Sequence, residues 1–285
     1  MKLYFLLVRR IPPEPSPVLV DVFELLRRRR FRVDAGIAEE TVVQADRVQI
    51  THDLYVLKSH TELSLSLAGA LDTQGARLLN PHASCIATQN KIVASRRLRA
   101  AGVPVPRTWV TGDLDLLRRI AAETPLIVKP YLGHRGAGIH LVRKPSDLRD
   151  LSPEDGPIMA QEYVVGQGED VKLYVVGDNV FAVRKPFSPT SFTVPGRPCA
   201  VDSDLRAIAL RCGEALGLGL YGLDVMEGAG GPVVVDLNYF PGYKGVPDVA
   251  PLIADYIERF AVGEETLEMP PPSLADEVGE PIGRE

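Results

Sequence analysis

Three oxygen-bearing side chains in the last third of the chain have the spacing of a metal site. Asp224 lies in one apolar, strand-like segment, and Asp236 and Asn238 lie two residues apart in the next, so the latter two share a face. The glycine-rich turn at 228–231 sets a hairpin register that places Asp224 nearly opposite Asp236, with Cβ atoms about 5 Å apart. Carboxylates this close repel each other unless a cation separates them, and Mg²⁺ prefers oxygen ligands. The hairpin therefore predicts a magnesium site, and its apolar flanks disfavour the alternative of a surface hairpin with solvated acids.

A lysine followed by a glycine-rich turn is the second candidate for chemistry. Lys129 lies near the end of the apolar segment 126–130, and Gly133, Gly136 and Gly138 follow it. A lysine that ends a buried strand can place its charge on a phosphate, and glycines allow backbone N–H groups to approach phosphate oxygens. The pattern predicts a phosphate clamp, although an ordinary glycine-containing hairpin has the same composition.

The segment 161–164 is the third candidate. It reads Gln-Glu-Tyr-Val and forms an apolar strand that passes from one predicted lobe to the next. The backbone groups of such a hinge can bind the edge of an adenine ring. Taken alone, the segment is equally compatible with an ordinary strand.

In this order and spacing, these features resemble the ATP-grasp superfamily over residues 89–258. Asn90-Lys91, followed by Ala-Gly-Val-Pro-Val-Pro at 101–106, extends the resemblance. It implies ATP and Mg²⁺ as cofactors, with the metal held by Asp224, Asp236 and Asn238. The nucleotide-binding residues that it implies are Lys91, Lys129, Gly133, Gly136, Gly138, Gln161, Glu162, Tyr163, Val164 and Glu169.

Several residues are most similar to the inositol 1,3,4-trisphosphate 5/6-kinase branch of that superfamily. The segment 236–246 resembles its Asp-Ile-Asn-x-Phe-Pro-Gly-Tyr-x-Gly-Val motif, His134 follows Lys129 by five residues, and Lys172 and Lys185 match basic positions of the branch. The resemblance implies a kinase that phosphorylates a hydroxyl of a small anionic or polyhydroxylated molecule such as an inositol phosphate.

Other features favour a different reaction. The hinge, together with Gly168-Glu169-Asp170 and the glycine loop, looks more like the ribosomal-protein glutamate ligases. The alternative is therefore an ATP-dependent carboxylate–amine ligase that passes through an acyl phosphate. A nucleotide-binding regulatory protein is a third hypothesis, which the complete metal trio and both lysines disfavour. Kinase and ligase need the same ATP and metal geometry, so the residues leave the nucleophile open.

The kinase hypothesis assigns further residues around the predicted cleft. Each of them alone would equally suit an ordinary surface or core-edge position. The candidate catalytic residues are Lys172, His134, Arg184 and Lys185, and the candidate substrate-binding residues are Lys58, His60, Arg135, Gly242 and Lys244.

The elements that must position these residues alternate between strands and helices, which predicts an α/β (α+β) protein with the ATP-grasp fold. The predicted lobes are an N-terminal α/β lobe at 1–87, a central lobe at 88–162 and a C-terminal lobe with the metal site at 163–262; the latter two clasp ATP. The predicted helices are 17–30, 60–71, 89–101, 112–122, 203–216 and 248–260. The predicted strands are 2–8, 41–43, 47–50, 54–57, 107–110, 126–130, 139–142, 158–163, 171–177, 180–185, 220–226 and 232–237.

Composition places this fold in a reducing compartment. The three cysteines among 285 residues are far apart, without a Cys-x-x-Cys pair, which is typical of a cytoplasmic protein. The net charge is −5, but residues 263–285 carry seven acids and one arginine, which predicts a disordered acidic tail. The expected partner is a small anionic substrate, with no nucleic acid or membrane, and the expected state is a monomer or weak homodimer. The arginine run 27–30 is interpreted as a solvated helix face rather than a nucleic-acid patch.

Overall fold

The computed structural model describes residues 1–9, 16–132, 138–151, 156–166, 168–186 and 196–271. Within these ranges the strands form three sheets. The first is parallel, in the order β2-β1-β3-β4. Its strands are β1 (Lys2–Leu7), β2 (Arg32–Ile37), β3 (Leu54–Leu57) and β4 (Leu78–Leu79), and the helices α1 (Pro17–Arg28) and α2 (Glu62–Asp72) accompany it.

The N-terminal sheet corrects two of the predicted strands. The predicted strands at 41–43 and 47–50 are wrong, because this stretch contains short 3₁₀ turns at Ala38–Glu40 and Ala45–Arg47. Val42 and Val43 are exposed, so the β-branched residues there have no core to pack against. The sheet instead uses β2, which the pattern does not reveal because Val33 is its one fully buried side chain.

Two consecutive helices replace the single predicted helix at 89–101. They are α3 (His82–Gln89) and α4 (Lys91–Ala100). Asn90 separates them: its backbone is extended, and its side-chain oxygen accepts the amides of Ile92 at 3.1 Å and Val93 at 3.2 Å. This N-cap satisfies two of the free amides of the first turn and places Lys91 at the start of α4.

The second sheet is antiparallel, in the order β5-β8-β6-β7. The predicted helix at 112–122 is split into a 3₁₀ turn at Leu114–Leu117 and a short helix. This sheet has a small core of its own, which includes Leu126, Val128 and Ala160. Its elements are β5 (Thr108–Thr111), α5 (Arg118–Glu123), β6 (Leu126–Pro130), β7 (His140–Val142) and β8 (Ile158–Glu162).

The third sheet is also antiparallel, in the order β11-β10-β9-β12-β13. The helix predicted at 203–216 is confirmed at both ends, because Asp202 caps its first turn and Gly217 ends it in the left-handed conformation at φ 63°. The elements are β9 (Glu169–Val176), β10 (Asn179–Pro186), β11 (Arg197–Cys199), α6 (Ser203–Leu216), β12 (Leu220–Gly228), β13 (Gly231–Tyr239) and α7 (Val249–Val262).

The first and third sheets share one hydrophobic core. The buried Asn80 side chain crosses between them: it donates to the Leu220 carbonyl at 2.9 Å and accepts the amides of Gly219 and Leu220 at 2.8 and 3.1 Å. Arg29, from the run interpreted as a solvated face, is instead part-buried and pairs with Asp255 and Glu258 of α7. The lobe boundaries at residues 87 and 162 stay predictions.

The segment after α7 begins as an ordered one. Leu267 and Met269 pack against the main core, and Arg97 donates to the Pro270 carbonyl at 3.0 Å. These contacts correct the predicted start of the disordered tail at residue 263, and residues 272–285 lie outside the described ranges. Within those ranges, no helix combines the length and apolar character needed to cross a membrane.

Candidate nucleotide and metal site

Three charged side chains form a row across three neighbouring strands of the third sheet. Lys172 on β9 is paired in register with Asp224 on β12, and Asp224 is paired with Asp236 on β13. Residues paired directly across strands point to the same face, so the predicted opposition of the two carboxylates is present. Asn238, two residues after Asp236, lies on that face too.

Each carboxylate of the row forms an ion pair with a lysine. Lys91 bonds to Asp236 Oδ1, and Lys172 Nζ lies 2.6 Å from Asp224 Oδ1. Burial raises the pKa of Asp236, but the charges of Lys91 and Lys129 outweigh it and hold that pKa below its usual value. Burial lowers the pKa of Lys172, yet the nearby Asp224 and Asp170 carboxylates raise it above its ordinary value. Asp236 is therefore held in the ionised form that binds a cation.

Lys129 is buried at the end of β6, where the sequence predicts the phosphate clamp. Its side chain is 7% exposed, and its ammonium donates to the Val235 carbonyl at 3.0 Å. The strand pair β12–β13 has a bulge after Asp224, so Val225 pairs with Val234 and Val235 is left out of the register. Burial, reinforced by the Lys91 charge, lowers the pKa of Lys129 to about 8.

A cleft opens between the second and third sheets beside these lysines. Along β8, Ile158 and Ala160 belong to the small core of the second sheet, whereas Met159 and Gln161 line the cleft, as the alternation of a strand requires. The cleft is mostly apolar with two lysines at one end, which suits a base attached to phosphates. Its lining residues are Thr88, Lys91, Ala94, Ser95, Leu98, Val105, Lys129, Met159, Gln161, Val234, Val235, Asp236 and Leu237.

The predicted hinge lies at the edge of this cleft. The Glu162 and Tyr163 amides donate to the carbonyls of Arg107 and Pro125, both at 2.9 Å. The Glu162 carboxylate forms two bonds to Arg107, at 2.9 and 3.0 Å. Because these two amides already donate to backbone carbonyls, they are not free to bind adenine. The predicted adenine-binding groups of the hinge are therefore the Val164 amide and the hinge carbonyls. Glu169 lies at the start of β9, partly exposed and 3.8 Å from Arg197.

Three lysines converge beside the row. Lys185 is 2% exposed, and burial, Lys172 and Lys244 all lower its pKa. Asp170, which pairs in register with Lys185, is also buried, and burial raises its pKa. A charged cluster is thus formed on the cleft face by Lys172, Lys185, Lys244 and Asp170. It lies at the end of the row opposite Asp236.

Arg184 does not belong to this cluster. As the neighbour of Lys185 in a strand it points to the opposite face, and it forms two bonds to Glu227, at 2.5 and 2.9 Å. Its predicted catalytic role stays a prediction.

A second, polar recess lies on the other side of Lys91. It is lined by His60, Thr88, Gln89, Lys91, Leu237, Asn238 and Tyr239. The His60 ring stacks on Tyr239 at 4.0 Å between centroids, and the Tyr239 hydroxyl donates to the Ser59 carbonyl at 2.7 Å. Lys91 and Leu237 line both the recess and the cleft, so the two spaces meet at the metal candidates.

The loop after β13 has an unusual backbone. Phe240, Tyr243 and Asp248 have positive φ angles of 33°, 49° and 48° although none is a glycine. Such conformations cost about 1–3 kcal/mol each and are common at ligand sites. The loop carries two substrate-binding candidates, Gly242 and Lys244, and Lys58 reaches it with its ammonium 5.3 Å from the Phe240 ring.

Part of the predicted site lies outside the described residues. This holds for Gly133, His134, Arg135 and Gly136 of the glycine loop. Gly138 is described, with φ 71°, and a Cβ atom there would lie 2.9 Å from the Pro130 side chain. A side chain larger than glycine therefore has no room at this position.

Sequence analysis also missed residues of the recess and of the charged cluster. Gln89 carries no chemical motif of its own and reaches the recess only through helix packing. Two sequence signals were present: Tyr239 lies within the motif at 236–246, and Asp170 belongs to the acidic pair at 169–170, of which the prediction chose Glu169.

The donor set fits Mg²⁺. The Asp224 and Asp236 carboxylates lie side by side and each is paired with a lysine. The Asn238 amide nitrogen lies 3.4 Å from Asp236 Oδ2 and donates to it, so the amide oxygen is the atom that could bind a metal. Hard oxygen donors of this kind match magnesium. In the described parts of the chain no cluster of three or more His, Cys, Asp or Glu side chains could hold a metal, so a site with three protein ligands here would need the asparagine as the third.

Known proteins share this architecture. A model of the RimK-like ATP-grasp domain matches residues 88–257. The probable alpha-L-glutamate ligase of Stenotrophomonas maltophilia (strain R551-3) is 29% identical over 223 residues, which cover 70% of this chain and 76% of that protein. The structure of the RimK domain protein ATP-grasp from Sphaerobacter thermophilus has a TM-score of 0.73 at 20% identity, over 90% of this chain and 100% of that one. D-alanine–D-alanine ligase from Bacillus anthracis, solved with ATP, has a TM-score of 0.68 at 16% identity, over 93% and 100%.

These matches confirm the predicted ATP-grasp fold and the predicted cofactors, ATP and Mg²⁺. They also correct the sequence analysis. The predicted kinase of the inositol-phosphate branch is wrong, because the matching proteins are named as ligases. Kinases and ligases share the requirement for positive charge around the γ-phosphate, so basic residues such as Lys172 and Lys185 do not distinguish the two reactions.

Proposed function

Because this chain belongs to the RimK-like ATP-grasp family, we propose that it is an ATP-dependent ligase that joins a carboxylate to an amine through an acyl phosphate. The observation that carries the proposal is the row Lys172–Asp224–Asp236, whose Asp236 end lines the apolar cleft where the cleft meets the polar recess. A nucleotide in the cleft and an acceptor in the recess would meet at this end of the row.

The reaction has two balanced steps. An oxygen of the acceptor carboxylate attacks the γ-phosphorus of ATP, which gives an acyl phosphate and ADP. The amine nitrogen then attacks the acyl carbon, inorganic phosphate leaves and the nitrogen loses a proton. Bound Mg²⁺ neutralises charge on the phosphates.

Each proposed role follows from position. Lys91 and Lys129, at the phosphate end of the cleft, bind the nucleotide phosphates. Lys172 and Lys185 offset the charge that develops as the phosphoryl group moves. Asp224, Asp236 and Asn238 hold the metal.

The polar recess suits the acceptor carboxylate. The side chains that line it are neutral or basic, His60 and Lys91 among them, so an anion meets hydrogen-bond donors there. The stack of His60 on Tyr239 gives the recess a rigid wall. We therefore place the activated carboxylate between His60 and Asn238.

The amine donor is proposed to be an acidic amino acid. The name of the Stenotrophomonas relative, a probable glutamate ligase, supports this choice. The convergence of Lys172, Lys185 and Lys244 supports it further, because a substrate with two carboxylates needs more than one cation.

Hydroxylamine trapping tests the proposal without knowledge of the amine. The protein is incubated with ATP, Mg²⁺, hydroxylamine and pools of carboxylic acids and peptides, and hydroxamate is measured with ferric iron alongside ADP and phosphate. One pool should yield hydroxamate with equimolar ADP, and glutamate in place of hydroxylamine should yield an amide by mass spectrometry. Asp236→Asn should yield neither. A phosphorylated alcohol as the product, or ATP hydrolysis without hydroxamate from every pool, would refute the ligase.

A further inference from the structure

Asp170 is a buried carboxylate whose charge is only partly compensated. Its side chain is 7% exposed, and its Oδ2 lies 3.6 Å from Lys172 Nζ. Its Oδ1 has no hydrogen-bond partner among the residues that the structure describes. An unsatisfied buried carboxylate oxygen costs free energy, so its presence on the cleft face calls for a partner in another state of the protein.

Lys172 is the group that links Asp170 to the metal candidates. Its ammonium lies 2.6 Å from Asp224 Oδ1 but 3.6 Å from Asp170 Oδ2. The short bond occupies one of the two oxygens with which Asp224 can bind a metal ion. An ammonium and a divalent cation on one part-buried carboxylate repel each other, so metal binding favours displacement of the ammonium.

We propose that Asp170 is a positioning residue that accepts the Lys172 ammonium when a divalent cation binds Asp224. A shift of about 1 Å brings Lys172 Nζ from 3.6 Å to hydrogen-bonding distance of Asp170. The Asp170 carboxylate then gains a full hydrogen bond from the ammonium at Oδ2, and Lys172 stays on the cleft face beside Lys185, where the charge of the transferred phosphoryl group develops.

Both states of the exchange are electrostatically balanced. Without metal, Lys172 compensates Asp224 directly. With metal, Mg²⁺ compensates Asp224 and Lys172 compensates Asp170. The inference depends on metal binding at Asp224 and not on the identity of the acceptor, so failure of the ligase proposal would leave it unaffected.

The test measures metal binding rather than turnover. Mn²⁺ is titrated into the protein with a non-hydrolysable ATP analogue, and free Mn²⁺ is followed by electron paramagnetic resonance. In Asp170→Asn, the alternative partner of Lys172 keeps an acceptor oxygen but loses its charge, so Lys172 favours Asp224 and Mn²⁺ affinity should fall by about tenfold, the scale set by one hydrogen bond to a charged group. Lys172→Met removes the competing ammonium, so its Mn²⁺ affinity should equal or exceed that of the wild type.

The double variant separates this mechanism from a direct effect of Asp170. In the Lys172→Met background, Asp170→Asn should change Mn²⁺ affinity by about twofold at most, since only a distant charge is lost. Asp202→Ala is the control for general destabilisation, because it removes the α6 cap bond to Leu205 and should lower Tm without altering Mn²⁺ binding.

Stability provides an independent readout. Asp170→Asn removes a buried charge that is only partly compensated, so its Tm should equal or exceed the wild-type value, whereas a purely structural carboxylate would lower Tm when replaced. Asp170→Ser makes the same Mn²⁺ prediction if the asparagine variant fails to fold. Unchanged Mn²⁺ affinity in these single variants, or an equal loss in the Lys172→Met background, would overturn the proposal.

Discussion

Replacement of Lys129 by methionine should stabilise the free protein while it weakens ATP binding. Burial holds the pKa of Lys129 at about 8, against 10.5 for an ordinary lysine. This difference means that keeping the buried ammonium charged costs about 3 kcal/mol at neutral pH. Loss of the 3.0 Å bond to the Val235 carbonyl offsets part of the gain, so we expect a net stabilisation of about 2 kcal/mol.

The pH dependence of this gain has a definite sign. The folded protein releases the Lys129 proton near pH 8, whereas the unfolded chain keeps it up to about pH 10.5. The unfolded state therefore binds more protons between these values, and the stability contribution of Lys129 rises with pH. The gain in free energy of unfolding of Lys129→Met over the wild type should therefore be largest at pH 7 and should disappear by about pH 10.5.

Two measurements check the prediction. Urea unfolding at pH 7 and pH 10 gives the stability difference, with the exposed Lys2→Met as the matched control. Calorimetric titration gives nucleotide affinity, and Lys129→Met should lose about 1.5–3 kcal/mol for ATP, the scale of a charged hydrogen bond, but nothing for adenosine. The reasoning fails if Lys129→Met is less stable than wild type at pH 7, or if adenosine loses as much affinity as ATP.

Three further variants test the site. Asp236→Asn should abolish turnover, and because Lys91 loses its counter-ion, its Tm should fall; normal turnover would exclude the metal assignment. Tyr239→Phe removes the hydroxyl bond that holds the recess wall, so the KM for the acceptor should rise several-fold while the Kd for ATP is unchanged; an equal change in both would place the residue elsewhere. Arg184→Ala breaks the half-buried ion pair with Glu227 and should lower the free energy of unfolding by about 1 kcal/mol. If the folded variant also loses kcat by about tenfold or more, the catalytic role predicted from sequence is supported.

Local sequence patterns correctly predicted those parts of the site whose geometry depends on residues close together in the chain. The hairpin register of Asp224 and Asp236 follows from a glycine-rich turn between two apolar strands, and the structure has that register. The ends of α6 follow from an aspartate cap and a terminal glycine. Lys129 was found because a charged residue interrupts an apolar strand. In each case the information lies within about 15 residues, which is the range over which turns, caps and strand alternation act.

Other features were decided by contacts between distant segments. Asp170 is buried because β10 and β12 flank β9, and the recess exists because His60 of the first lobe stacks on Tyr239, 179 residues away in the chain. The positive φ angles of Phe240 and Tyr243 contradict the local preference of aromatic residues, so only the surrounding packing can impose them.

Local sequence patterns do not distinguish a kinase from a ligase in this chain. The motif at 236–246 and the lysines at 172 and 185 have residue types suited to metal binding and charge neutralisation at the γ-phosphate, a requirement that is the same for a hydroxyl and a carboxylate acceptor. In the proposed ligase the acceptor would be selected by the shape and charge of the recess, to which residues around positions 60, 89 and 239 contribute. Because these residues are brought together only when the first and third sheets share a core, no local spacing in the sequence encodes their proximity.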